Sequence, residues 1–132
     1  MPRKVISSHE ALTLLNKWKS GSTKLFIFSA NCGLSCGFAG FVTHVAESAL
    51  HFEIEGISVK DFNFWVNCHS ASFSLVELEE ESSLIFAPGR NARDLGTVLA
   101  VDLPGDEPGE IEARVVLSEL FSAKFIDIKP GS

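Results

Sequence analysis

After Lys24 the apolar residues stop recurring at helical spacing and begin to alternate or cluster in short runs, and this change of period constrains the fold more than any other feature. Before it, one helix is written clearly. Ser7 is placed to cap it and Glu10, three residues on, completes a reciprocal capping box. Ala11, Leu14, Leu15 and Trp18 then fall on one helical stripe, and Gly21 stands where the helix should end. Trp18 on that stripe reads as core rather than as a ligand-stacking ring. After it, Leu25–Ala30 reads as a strand buried on both faces, "NCGLS" as a turn, and Phe38–Val45 as the next strand.

A reversal at Glu47–Ser48 would set Phe41 opposite Ile54, Thr43 opposite Phe52 and Val45 opposite Leu50 on an apolar face. His44 and His51 would then be directly opposed on the other face, together with Val42 and Glu53. Further strands are expected in "ISVKDFNFWVN", where Trp65 lies on the face opposite Phe64 and Val66, and from Phe73 to Leu78, with "CHSAS" as the turn between them. The acidic run "ELEEESS" reads as a solvated strand end and loop, and "SLIFA" and "GTVLAVDL" as two more strands joined by "PGRNARDL". "PGDEPGE" is the strongest loop signal, and "KFIDI" reads as a closing strand. Between these two, Ala113, Val116, Leu117, Leu120 and Phe121 match a helical stripe, with Glu110 one turn before Arg114. A helix over 110–122 is therefore expected, and a strand alternating through Ile111, Ala113, Val115 and Leu117 is the alternative.

The expected fold is mainly β (α+β), a small, strongly bent antiparallel barrel with an N-terminal helix. Extra C-terminal strands and a second helix would be added to it. At 132 residues the chain suits one domain, 1–132. Its parts would be the helix at 7–20, a barrel core at 24–78 and a C-terminal elaboration at 83–132.

Charge and cysteines narrow the function. Net charge is −6, and the Lys and Arg residues are scattered. Residues 1–66 hold six Lys/Arg against five Asp/Glu, whereas residues 67–132 hold five against twelve. Nucleic-acid binding needs a basic surface to neutralise phosphate, so this balance disfavours it. No apolar run is long enough to span a bilayer and no signal-peptide pattern opens the chain, so no membrane partner is expected. Three cysteines do not make a secreted disulfide framework, and a cytoplasmic location is the expectation.

No motif for a nucleophile elbow, a zinc protease or a phosphate-binding loop is present, so no catalytic residue is assigned and no cofactor is expected. Cys32, Cys36, Cys68 and His69 could be imagined around zinc. Adjacent strand residues leave opposite faces, however, so Cys68 and His69 would not share an ion, and packing is the simpler role for these cysteines. No metal site is assigned. The His44–His51 pair, with Glu53 near it, is the main candidate face for a metal or small molecule, set against the plain reading of two histidines on a half-exposed sheet. Cys68 and His69 are weaker candidates, as are Arg90 and Arg93 as an anion-binding loop.

The order of elements, and the stretch "GFVTHVAESALHF", resemble the Sm-like family of small barrels across residues 7 to about 76. In that family a strand glycine is followed by an apolar residue two on and another five on, positions taken here by Gly40, Val42 and Val45, with Leu50 on the next strand. A glycine at that point lets a strand bend sharply enough to curl a small sheet. The resemblance implies a barrel that assembles by pairing strand edges between protomers, giving a homo-oligomer or a complex with another protein. It does not carry over the family's RNA site, because Ala46 stands where the family has Asp, and Cys68 stands where its bacterial RNA chaperone has the Lys of a Lys-His pair. RNA binding is thus the alternative function, and a non-enzymatic binding or assembly module the main one.

Overall fold

The computed structural model describes residues 3–31, 33–54, 64–77 and 95–120. Within them a helix, α1 (Ser8–Ser20), follows a short strand, β1 (Arg3–Ile6). Seven more strands come after it: β2 (Leu25–Asn31), β3 (Leu34–Val45), β4 (Ala49–Ile54), β5 (Phe64–Asn67), β6 (Ser72–Val76), β7 (Leu95–Pro104) and β8 (Ile111–Leu120). All are antiparallel neighbours in one sheet of order β1-β6-β7-β8-β2-β3-β4-β5. The protein is thus mainly β with an N-terminal helix. The first part (57–63) of the strand expected over 57–67, the strands expected at 83–87 and 124–128, and the residues Cys32, Arg90 and Arg93 lie outside the described residues.

The sheet is strongly bent, and the chain path shows why it must be. β5 is one edge and β6 stands next to the other, six neighbours away in the strand order. In a flat sheet they would be separated by about 29 Å, at the usual spacing of about 4.8 Å. The turn Cys68–Ala71 joins them, closed by a 3.0 Å bond from the Ala71 amide to the Cys68 carbonyl. Four residues reach at most about 14 Å even when extended, so the sheet has to curl. Its edges β1 and β5 do not pair with each other among the described residues, which leaves the roll unclosed.

α1 lies over β3 and β6 and buries Ala11, Leu15 and Trp18 in one core with Leu25, Ile27, Leu50, Phe52, Leu99 and Leu117. Each large aliphatic side chain taken out of water there stabilises by about 1.5–3 kcal/mol. Half of the expected capping box is formed: the Glu10 amide donates to Ser7 Oγ at 3.1 Å, while the Glu10 carboxylate accepts from Ser7 Oγ at 3.4 Å and not from the Ser7 amide. Trp18 is core, and its indole N–H reaches through to Glu119 Oε2 at 2.8 Å, fixing the helix to β8. No described helix is long and apolar enough to cross a membrane.

Two expectations are corrected. First, 111–120 is the strand β8 and not part of a second helix. It stands between β7 and β2, and Val115, Val116, Leu117 and Ser118 are buried consecutively because both faces of the sheet are covered there. A doubly buried strand shows a continuous apolar run that matches a helical stripe by accident. Arg114 accordingly bonds across the sheet to Asp102 (Nε–Oδ1 2.5 Å), which also receives Arg3 at 3.1 Å, and not to Glu110.

The C-terminal hairpin is integral to the sheet. β7 and β8 lie mid-sheet between β6 and β2, and Leu99, Val101, Val115 and Leu117 belong to the same core as α1.

Second, the β3–β4 register is half as expected. His44 opposes His51 and Val45 opposes Leu50, but Phe41 opposes Glu53 and Val42 opposes Phe52, with an irregularity between Val42 and His44. The extra residue at Thr43 turns Val42 into the core beside Phe52, while His44 remains outside. Two strands also differ from expectation in extent. β3 begins at Leu34 rather than Phe38, and β1 was not foreseen.

Candidate functional site

The outer face of the β3–β4–β5 meander gathers three rings in a row. The bulge at Thr43 aims His44 at His51, whose ring centre is 5.3 Å away with the planes at 85°. Trp65, in register opposite His51 on β5, stacks over it at 6.3 Å with the planes 20° apart. His51 is half-buried between them, His44 is exposed, and Trp65 keeps 55% of its surface in solvent. Trp65 is one of four exposed large apolar side chains among the described residues, with Val5 on the opposite edge strand β1, Leu34 and Ile111. Glu53 is two residues beyond His51 on β4, opposite Phe41 and half-buried. Among the described residues no three His, Cys, Asp or Glu side chains come together as a ready metal cage, so Glu53 does not complete one with the histidines.

Cys68 and His69 lie in the turn after β5 rather than on a strand, and both line one cleft, though with different exposure. Cys68 is buried, with its thiol 3.7 Å from the Val66 carbonyl, and burial pushes its pKa up to about 11. It therefore stays a protonated thiol at neutral pH, unsuited to attack a substrate or to bind metal. His69 is exposed, and its amide donates to Asn67 Oδ1 at 3.0 Å. Cys36 is an exposed free thiol on β3.

The fold also builds a cleft of about 470 Å³ that no local pattern announced. The first turn of α1, the β3–β4 turn and the β5–β6 turn meet around it, bringing Ser8, His9, Glu47, Ser48, His69 and Ser70 together. The turns are tied at its base by the Cys68 amide donating to the Ser48 carbonyl at 2.8 Å. His9 and His69 are sixty positions apart in sequence, so only the rolled sheet could show that they share a wall. A second, shallower depression of about 430 Å³ lies by the β2–β3 turn, with Leu34, Ile111 and Arg114 on its rim.

The two sheet edges differ in chemistry. β1 reads Arg-Lys-Val-Ile and carries two cations, one of them committed to Asp102, whereas β5 reads Phe-Trp-Val-Asn and carries no charge. Charged residues on an edge strand repel unwanted pairing, and an uncharged edge beside an exposed aromatic invites it. In comparison with known proteins the chain matches no family model, no curated protein and no solved structure.

Proposed function

We propose that the protein is a non-enzymatic binding and assembly module that joins a second copy of itself through β5, which among the described residues has a strand neighbour on one side alone. The observation that carries this reading is the contrast between the edges: β1 is guarded by Arg3 and Lys4, while β5 has no charge and shows Trp65 to solvent. Edge pairing is also how the Sm-like resemblance would have protomers meet. A two-fold axis perpendicular to the sheet keeps outer face with outer face, so Trp65 would meet either its own counterpart or Asn67 of the partner subunit. One four-residue strand and one tryptophan fall short of the roughly 1,000 Å² that a stable interface buries, so the dimer exchanges rapidly and forms at high concentration. A reducing, cytoplasmic setting fits the free thiols Cys36 and Cys68. RNA binding has no specific observation in its favour and is opposed by the net charge of −6.

The test is the solution mass by light scattering from low micromolar to about millimolar protein, a range matched to an interface of this size. The wild type should move from monomer towards dimer, and Trp65→Lys should stay monomeric with an unchanged melting temperature. A wild type that remains monomeric throughout, or a dimer indifferent to Trp65→Lys, overturns the assignment.

A further inference from the structure

We propose that His44 and His51 together chelate a divalent transition-metal ion on the outer face of β3 and β4, with Trp65 as the wall beside it. This goes beyond the assembly reading and does not depend on it. Two imidazoles bound to one tetrahedral ion through bonds of about 2.0–2.1 Å have ring centres about 5 Å apart. The His44 and His51 ring centres are 5.3 Å apart, so the ion enters with little movement of either strand.

The strand pairing holds that distance. His44 and His51 are register partners on neighbouring strands, and the bulge at Thr43 is what keeps them on one face. Without the extra residue, the register running from Gly40↔Ile54 through Val42↔Phe52 would have continued, and His44 would have paired one position further back on β4. Bulges commonly re-aim a side chain in this way beside a site. His51 is further confined by the stacked Trp65. Ligands already held in position lose little freedom on binding, so more of the bond energy appears as affinity.

Two neutral imidazoles suit copper(II), nickel(II) and zinc(II), with copper(II) bound most tightly, whereas magnesium and calcium require oxygen donors. No third described His, Cys, Asp or Glu joins the pair, so water fills the remaining coordination positions. The site is consequently open and exchangeable rather than structural. The second histidine pair, His9 and His69, lines the cleft on other elements and supplies the control.

Trp65 provides the readout, because a paramagnetic ion bound to His51 quenches the indole stacked on it, while Trp18 is buried at 1% exposure on the other side of the sheet. Copper(II) and nickel(II) are titrated into the intact protein at low micromolar concentration, below the range where self-association operates, with fluorescence and calorimetry followed in parallel. The expected result is one ion per chain, quenching that disappears in Trp65→Phe, and no response to magnesium. Loss of one arm of a two-point attachment costs about a hundredfold in affinity, so His44→Ala, an exposed substitution, should weaken binding to about that extent. His9→Ala and His69→Ala should leave it unchanged. Binding that is equally strong in His44→Ala, that is lost instead in His69→Ala, or that is absent at 100-fold excess of copper(II) overturns the proposal.

Discussion

Replacing Gly40 by alanine should cost far more than the same change three residues earlier at Gly37, although both sit on β3. A Cβ at Gly40 would collide with the carbonyl oxygen of Glu53, with that carbonyl's carbon at 3.1 Å and the Ile54 Cα at 3.3 Å. All three are main-chain atoms of β4, held by the pairings Gly40↔Ile54 and Phe41↔Glu53. At Gly37 the nearest atoms are Cζ and Cε2 of the Phe26 ring, at 2.8 and 3.2 Å, which belong to the far end of a side chain. Overfilling a packed site costs about 1–3 kcal/mol where side chains can shift. When backbone must yield instead, a ladder hydrogen bond worth about 1 kcal/mol is lost as well. The entropy that alanine removes from the unfolded chain returns about 0.4–1 kcal/mol.

The balance for Gly40→Ala is a destabilisation of about 3 kcal/mol, and for Gly37→Ala less than about 1 kcal/mol. In a domain of this size 1 kcal/mol shifts the midpoint by about 4 °C, so Gly40→Ala should melt about 12 °C lower than wild type and Gly37→Ala within about 4 °C of it. Thermal unfolding followed by circular dichroism, with urea unfolding as a check on the free energies, measures both. If the two variants melt within about 2 °C of one another, the close approach of β4 is not what requires glycine at position 40.

Two further outcomes follow from the pKa values. Burial raises the Asp102 pKa, but the hydrogen bonds and charges of Arg114 and Arg3 outweigh it and hold the carboxyl below its ordinary value. A depressed carboxylate pKa contributes stability that is complete above the ordinary value and disappears as pH falls through the lower, folded one. Asp102→Asn should therefore lower the melting temperature at neutral pH, and the gap from wild type should close in strong acid; a gap independent of pH refutes this. With its pKa pushed up to about 11 and its side chain buried, Cys68 should resist alkylation in the native protein at pH 8, while the exposed Cys36 reacts. Peptide mass spectrometry after a short iodoacetamide pulse reads both sites, and native modification of Cys68 at the rate of Cys36 contradicts the burial argument.

What could be read from the sequence was whatever a short loop determines. The N-cap and stripe of α1 are local, and so is the two-residue reversal at Glu47–Ser48, which sets His44 against His51. The bulge was hidden because Thr43 opposite Phe52 and Val42 opposite Phe52 both leave an apolar set facing inward, and only the packing of the finished core chooses between them. β8 was misread because burial on both faces removes the alternation that distinguishes strand from helix. β1 is four residues with two cations, and it is a strand because β6, some seventy positions away, pairs with it. The His9–His69 cleft is nonlocal in the same sense, since three separate turns must meet to form it. Both proposals lie instead on the β3–β4–β5 meander, whose outer face was partly legible: the histidine pair follows from one hairpin, and Trp65 joins it once β5 pairs with β4. The metal chelate needs only that hairpin and its bulge. Edge assembly needs the curl of the whole sheet to leave β5 uncovered, so a protein that binds copper(II) through His44 and His51 while remaining monomeric would be consistent with the first and would rule out the second.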